Sequence, residues 1–117
     1  MEDCLFCKIA NHEIKSDVVY ENNEVICFRD IHPAAPTHVL IMPKKHFKDI
    51  LALSKAKEDG ANAMNAVLAA IPQVASICGV DEEGFRVINN CGVNGGQSIA
   101  HVHFHLIGGK KMGEKIL

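Results

Sequence analysis

The sequence predicts an α+β domain with a five-stranded, mainly antiparallel sheet, one long helix and a short N-terminal helix. Two observations indicate this fold class. Short β-branched and aromatic runs lie on both sides of a long stretch with helical spacing, and no repeat, low-complexity run or linker divides the chain. Because 117 residues are enough for one modest core, we assign residues 1–117 to a single domain.

The N-terminal part is predicted to supply a short helix and three strands. Leu5–Ala10 forms the helical turn, and Val18–Glu21 and Val25–Arg29 form a hairpin, since the two asparagines between them tolerate positive φ. A loop made irregular by two prolines leads into a third strand, residues 38–42, which the next proline ends.

The C-terminal part is predicted to contain the long helix and two more strands, residues 85–90 and 102–107. Helical spacing runs from Ser54, taken as the N-cap, to Gly79, taken as the residue beyond the C-cap, and Pro72 predicts a bend or restart. The apolar stripe consists of Met64, Leu68, Ile71, Ala75 and Cys78. A second face, expected to pack against another helix in a homodimer, carries Ala61, Ala63, Ala66, Ala69 and Ala70.

Composition excludes several classes of function. Twelve basic and fourteen acidic side chains give a net charge of −2, so the chain offers no cationic surface to a nucleic acid. The sequence has no apolar run long enough for a membrane span, and its acidic start does not resemble a secretory signal. Five cysteines cannot all pair within one chain. We therefore expect a cytoplasmic protein with reduced cysteines that binds neither nucleic acid nor membrane.

Three histidines alternate with apolar residues in the segment His101-Val102-His103-Phe104-His105. Alternate residues of a strand share one face, about 6.6 Å apart. A merely solvated face has no need of histidine, so the pattern indicates catalysis or metal binding. The preceding loop, Asn94-Gly95-Gly96-Gln97-Ser98, can offer backbone N–H groups and a hydroxyl to an anion, although most Gly-Gly pairs are plain turns.

Two cysteines near the start of the chain, Cys4 and Cys7, have the two-residue gap that lets two thiolates bind one metal ion. Since such a site needs further ligands, a redox pair and two free thiols remain alternatives. The other cysteines, Cys27, Cys78 and Cys91, are expected to be small core residues.

The segment from His101 to Ile107 resembles the signature of the histidine triad (HIT) family, His-φ-His-φ-His-φ-φ with φ apolar. Other segments are similar to the Hint branch, the nucleoside phosphoramidases: Ala35-Pro36-Thr37-His38, Pro43-Lys44-Lys45-His46, Gly96-Gln97-Ser98 and Leu106-Ile107-Gly108-Gly109. The resemblance covers residues 4–109. It implies a HIT-like fold, a homodimer and a purine nucleotide, AMP or GMP or a conjugate of one, as ligand.

The resemblance also implies a hydrolase that cleaves P–N or phosphoanhydride bonds at the α-phosphate of purine nucleotide conjugates. His103 matches the nucleophile, which becomes nucleotidylated before water releases the nucleoside monophosphate. His105 and the backbone of Gly96, Gln97 and Ser98 would hold the phosphoryl oxygens, and the Ser98 hydroxyl would contact the leaving nitrogen. The remaining matches are His38 and Asn90 in support, Asp30 for the ribose hydroxyls, and Leu5, Phe6, Ile9, Ile14, Phe28 and Leu40 around the base.

Zinc is implied by the same resemblance, with His46 and His101 completing a site on Cys4 and Cys7. Four protein ligands leave no open position, so this zinc would be structural and not required for catalysis. From the residues alone, Asp30 is equally a loop cap, and the apolar pocket residues are equally core.

Other functions remain open at this point. Two histidines at i and i+2 can bind a catalytic zinc, which would make a metallohydrolase. A dinucleoside polyphosphate hydrolase, a nucleotidyltransferase of the same family, or a nucleotide-binding module without turnover would carry the same residues. The sequence has no tryptophan, which Hint proteins often carry near the site, so the resemblance does not assign the leaving group. His12 and His32 receive no role.

Overall fold

The computed structural model describes residues 3–117, which form three helices and five strands. The first helix and the first two strands have the predicted bounds. In chain order the elements are α1 (Leu5–Ala10), β1 (Val18–Glu21), β2 (Val25–Arg29), β3 (Thr37–Pro43), α2 (Ile50–Lys55), α3 (Lys57–Ile77), β4 (Phe85–Asn89) and β5 (Phe104–Gly108).

The five strands form one sheet in the order β1-β2-β3-β5-β4, and every neighbouring pair is antiparallel. The predicted fold class is therefore confirmed. The last strand in sequence, β5, lies inside the sheet, where His105 is opposite Leu40 on one side and Ile88 on the other. Hydrogen bonds from a neighbouring strand on each side therefore hold the part of the histidine segment that lies in β5.

Two apolar clusters lie on opposite faces of the sheet, because successive side chains along each strand point to opposite faces. On one face, Val39, Phe104 and Leu106 pack with α3. On the other face, Phe28 and Leu40 pack with Phe6 and the rest of α1. The apolar residues between the histidines thus lie in the α3 cluster, which places the histidine rings on the α1 side of the sheet.

The long helix differs from the prediction at its start. Ser54 is not an N-cap: it lies inside α2, and its hydroxyl donates to the Leu51 carbonyl. The chain turns sharply before α3, whose first residue, Lys57, has a φ of 52°. Gly60 allows this turn, because a Cβ there would collide with the Leu53 carbonyl oxygen. At the other end Gly79 lies beyond the C-cap with positive φ, as predicted, and α3 runs through Pro72 without a break.

The buried face of α3 is also offset from the predicted stripe. Leu68 is 54% exposed, whereas the small residues Ala63, Ala66 and Ala70 are buried with Val67 against the chain's own sheet. These alanines let α3 approach the sheet closely, so the expectation that they pack against another helix is wrong. Ala61 and Ala69 are exposed, and the homodimer stays a prediction.

The last strand starts later than predicted: β5 begins at Phe104, whereas the sequence predicts a strand from residue 102. His101 and His103 therefore precede the strand. The Val102 N–H donates instead to the Phe47 carbonyl, at 2.8 Å. In residues 3–117, none of the helices has the length and hydropathy needed to cross a membrane.

Candidate functional site

A cavity of about 600 Å³ opens between α1 and the sheet. Its lining includes all six residues predicted for the base pocket. Asp30, Ser98, His103 and His105 also line it. The apolar lining consists of Leu5, Phe6, Ile9, Ile14, Phe28 and Leu40 together with Ile31 and Ile99, and the polar rim of Lys15, Ser16, Asp17, Arg29 and His32.

His103 is buried in the wall of this cavity, and its tautomer follows from its hydrogen bond. Its Nδ1 lies 2.7 Å from the His101 carbonyl oxygen. A carbonyl can only accept, so Nδ1 carries the proton and Nε2 keeps its lone pair. Burial lowers the pKa of His103, which keeps the ring neutral near pH 7. The Phe6 ring packs nearly perpendicular to this imidazole, with centroids 4.9 Å apart.

His105 has the opposite tautomer, and His38 determines it. The Ala34 N–H donates to Nδ1 of His38 at 2.9 Å, so neutral His38 carries its proton on Nε2. That nitrogen lies 2.9 Å from Nδ1 of His105, which must accept. The His105 proton is therefore on Nε2, where it can be donated to a ligand. Burial lowers the pKa of His105 to about 4, so this ring is also neutral near pH 7.

The two carboxylate oxygens of Asp30 have different partners. Oδ1 accepts the His32 N–H at 2.8 Å, which is the loop cap that the sequence left open. Oδ2 lies 3.5 Å from Nε2 of His38, and the residue lines the cavity. Asp30 can therefore order its loop and still accept hydrogen bonds from a ligand.

The glycine loop is held mainly by Gln97. Its amide group donates to the carbonyls of Lys48 and Ile99, at 2.8 and 2.9 Å, and accepts the Gly92 N–H at 3.0 Å. The backbone N–H groups of Gly96 and Gln97, proposed as phosphate donors, donate to carbonyls within the loop. Of the three residues in that prediction, Ser98 alone lines the cavity.

Asn89 is a residue that sequence reasoning missed. Its side-chain amide donates to the His103 carbonyl at 2.9 Å and so fixes the backbone of that histidine. Asn90, the predicted support, makes no side-chain hydrogen bond within residues 3–117. Two adjacent asparagines at a strand end give no sequence signal that distinguishes one from the other.

The four predicted metal ligands are brought together. The ligand atoms of Cys4, Cys7, His46 and His101 all lie within 4.8 Å of one another. Fully buried His101 donates from Nε2 to the Pro43 carbonyl at 2.8 Å, so its Nδ1 lone pair faces both cysteine sulfurs, each at 3.5 Å. Nδ1 of His46 is 3.3 Å from the Cys7 sulfur.

These distances fit zinc. Tetrahedral bonds of about 2.3 Å to sulfur and about 2.0 Å to nitrogen place a sulfur and a nitrogen ligand about 3.5 Å apart. Burial lowers the pKa of His101 to about 4, which favours the neutral form that binds a metal. Burial raises the pKa of Cys7 to about 11, so without a cation its thiol stays protonated. The cluster therefore has the soft, closed donor set of a structural zinc site.

A second group, Asp30, His38 and His105, also has its ligand atoms within 4.8 Å. Its hydrogen bonds do not suit a metal. Because Nδ1 of His38 accepts the Ala34 N–H, Nε2 of neutral His38 holds the proton and has no lone pair to offer. The same reasoning places a proton on Nε2 of His105, so a catalytic metal between these rings is disfavoured.

The remaining histidines and cysteines belong to neither group. His12 is on the surface beside Glu21, at 2.7 Å, and His32 is exposed at the rim of the cavity. Cys27 is buried as predicted, whereas Cys78 and Cys91 are half-buried.

Comparison with known proteins agrees with the fold. The sequence pattern of the HIT domain matches residues 11–112. The purine nucleoside phosphoramidase of Escherichia coli K12 is 40% identical over 112 residues, 96% of this chain and 92% of the relative. A 14 kDa zinc-binding protein of Zea mays is 46% identical over 109 residues, 92% and 83% of the two chains.

A solved structure gives the same result. A HIT family hydrolase from Clostridium thermocellum superimposes with a TM-score of 0.92 at 44% sequence identity, covering 100% of this chain and 99% of the other. Both the sequence pattern and the three-dimensional fold thus extend over nearly all of the chain. The chain belongs to the HIT domain family.

Proposed function

We propose that the protein is a hydrolase of nucleoside 5′-phosphoramidates and related purine nucleotide conjugates, and that it acts through a nucleotidyl-His103 intermediate. One observation carries the proposal: a neutral imidazole with a free Nε2 lone pair lies in a cavity beside a second imidazole whose Nε2–H can donate. The first is suited to attack a phosphorus atom and the second to stabilise its oxygens. The similarity to the purine nucleoside phosphoramidase of E. coli supports the same substrate class.

The cavity suits a nucleoside monophosphate in size and polarity. Its volume, about 600 Å³, is within the range of small-molecule sites. The apolar lining, with Phe6 and Phe28, would pack on the base. The Asp30 carboxylate, which only accepts hydrogen bonds, would take the ribose hydroxyls. The α-phosphate would then lie beside His103 and His105.

The reaction divides into two displacements. In the first, Nε2 of His103 forms a bond to the α-phosphorus while the bond to the leaving nitrogen breaks; that nitrogen keeps the electron pair and takes up a proton. His105 donates its Nε2–H to a phosphoryl oxygen as charge develops there. In the second, water attacks the phosphorus, His103 leaves with the electron pair of its bond, and the protons of the water go to solvent. The products are a nucleoside monophosphate and an amine.

The metal cluster would support this chemistry from outside the cavity. Bound zinc would add no reaction step, because its four protein ligands leave no open position. The contribution of the chain lies in His101: its ring is a proposed ligand, while its carbonyl accepts the Nδ1 proton of His103. Fixing one residue therefore fixes the orientation of the nucleophile.

The direct test is turnover of adenosine and guanosine 5′-phosphoramidates, followed by chromatography of the released monophosphate. We expect many molecules of AMP or GMP per chain. If the protein binds AMP in calorimetry but releases at most one equivalent, it is a binding module and the proposal is wrong.

His38 is expected to be a positioning residue, since it sets the tautomer of His105. We predict that His38→Ala lowers kcat about 10- to 100-fold, with a smaller change in KM; this is less than the about 100- to 1000-fold cost of losing a charge-stabilising donor outright, because His38 acts through His105. His38→Gln should recover part of kcat, because its amide N–H can still donate to Nδ1 of His105. The matched control is His12→Ala on the surface. Equal losses in the alanine and glutamine variants would indicate a packing role only.

A further inference from the structure

One row of paired residues crosses the sheet from β1 to β5. Val18 is opposite Phe28. Phe28 is opposite Leu40, which in turn is opposite His105. Three strand spacings of about 4.8 Å therefore separate the start of β1 from His105 by about 14 Å. Residues 14–17, here the 14–17 segment, come directly before β1 and all line the cavity. The cavity thus extends across the sheet from the histidines to this segment.

A nucleotide that reacts at His103 has a defined direction in this cavity. Its α-phosphate lies at β5, and Phe28, which is proposed to pack on the base, lies two strands nearer to the edge formed by β1. Phe6 connects these two points, because its ring packs on Phe28 with centroids 5.6 Å apart and on His103 at 4.9 Å. The far edge of the base, which carries its hydrogen-bonding groups, therefore points towards the 14–17 segment.

The 14–17 segment brings charges of both signs to the base. Lys15 and Asp17 line the cavity, as does Arg29 beside them. The Arg29 N–H donates to the Asp17 carbonyl at 2.9 Å, which fixes the segment to the end of β2, next to Phe28. The two side chains form a loose ion pair, with Nε of Arg29 3.6 Å from Oδ2 of Asp17, and they are 44% and 73% exposed. Because such a pair contributes little to stability, the carboxylate can turn to a ligand at low cost.

We propose that the 14–17 segment selects guanine, and that Asp17 accepts hydrogen bonds from the N1–H and the 2-amino group of this base. The inference rests on the proposed function and specifies its substrate class. A carboxylate only accepts hydrogen bonds, and guanine presents these two donors side by side. The O6 atom next to them is an acceptor that suits the ammonium group of Lys15.

Adenine presents the opposite pattern to the same two side chains. Its N1 carries a lone pair that would face the Asp17 carboxylate, and its 6-amino group would face the Lys15 ammonium. Because the base leaves water to pack on Phe6 and Phe28, polar groups without a matching partner at its edge weaken binding. The two purines would therefore be distinguished at Asp17 and Lys15, whereas the aromatic rings accept either base.

The test compares the 5′-phosphoramidates of guanosine, inosine and adenosine with the same leaving amine. Inosine keeps the N1–H and the O6 atom of guanosine but lacks its 2-amino group. For the unmodified protein we expect kcat/KM to fall in that order. Guanosine should exceed adenosine by about 10-fold, near the lower limit for a bidentate contact, because Asp17 is exposed. The Kd values of GMP, IMP and AMP, measured by calorimetry, should rise in the same order.

Asp17→Asn should bring guanosine and adenosine to within about 2-fold of each other, because the amide offers one acceptor oxygen in place of two. Xanthosine, which has a carbonyl group in place of the 2-amino group, should be a poor substrate of the unmodified protein. It should gain in Asp17→Asn, since the amide N–H can donate to that carbonyl, and a loss of packing would not produce this gain. The matched control is Asp81→Asn, an exposed carboxylate outside the cavity, which should keep the original order.

Binding of the monophosphates separates this inference from the hydrolase assignment. If the three phosphoramidates are turned over equally, or if Asp17→Asn leaves their order unchanged, the guanine contact is wrong and the hydrolase assignment stands. If none of them is turned over but GMP binds more tightly than AMP, and Asp17→Asn removes this difference, the hydrolase assignment is wrong and the guanine contact stands.

Discussion

Replacing His103 with alanine is expected to abolish turnover, with kcat falling at least about 10³-fold, as for loss of a covalent nucleophile. The reason is geometric: His103 is the ring whose hydrogen bond to the His101 carbonyl leaves Nε2 free in the cavity. In the unmodified protein, rapid quenching with an adenosine phosphoramidate should trap an adenylyl group on His103, located by mass spectrometry of peptides. The His103→Ala variant should show no such adduct.

Two controls separate chemistry from folding. His12→Ala, on the surface, should keep full activity. The His103→Ala variant should still bind AMP in calorimetry, because the apolar wall and Asp30 are unchanged. An adduct on His105, or full turnover by His103→Ala, would contradict the assignment. Loss of turnover on chelation in protein that stays folded, together with activity in His103→Ala, would instead support a metallohydrolase.

The second large effect is expected on stability. The purified chain should contain one zinc per molecule in elemental analysis, bound by Cys4, Cys7, His46 and His101. With free zinc about a thousandfold above its Kd, binding to the folded state alone contributes about 4 kcal/mol. Removing the metal should therefore lower the Tm by at least about 10 °C, since about 1 kcal/mol corresponds to about 4 °C or more in a domain of this size. Differential scanning calorimetry measures this change.

Single cysteine variants provide the matched test. Cys7→Ala should lose the zinc and the metal-dependent part of the Tm, whereas Cys78→Ala, a half-buried cysteine outside the cluster, should keep the zinc. If Cys7→Ala retains one zinc per chain, the ligand set is wrong. If both variants and the unmodified chain contain no zinc after expression in zinc-supplemented medium, the cysteines are free thiols.

The elements that sequence reasoning predicted correctly are those whose signals are local. Val18–Glu21 and Val25–Arg29 have β-branched runs and a turn between them, and both strands have the predicted bounds. The predicted start of the long helix is wrong because the turn before it depends on a tertiary contact. Gly60 lies against the Leu53 carbonyl, and no local pattern reveals that approach. The predicted buried face of α3 is wrong because hydrophobicity alone favours burial of Leu68, whereas close packing on the sheet favours alanines.

At the candidate site, too, features with a local sequence signal could be predicted, and features that depend on tertiary contacts could not. The residue types of the cavity and the metal cluster follow from the sequence and its resemblance, and the structure brings these side chains together. The tautomers of His101, His103 and His105 could not be derived in that way. They depend on backbone partners, the carbonyls of Pro43 and His101 and the N–H of Ala34, which carry no residue-specific signal. Asn89 was missed for a related reason, because its partner is a carbonyl group.

The metal cluster has a consequence for the topology of folding. Cys4 and His101 are 97 positions apart in sequence, so a shared metal would close almost the whole chain into one loop. A covalent cross-link of about 100 residues removes chain entropy from the unfolded state worth about 4.7 kcal/mol at room temperature. The metal would take the place of a disulfide in a chain whose described cysteines are all unpaired. Unlike a disulfide, this cross-link would respond to the supply of an ion, so zinc concentration would set how often the two ends of the chain come apart.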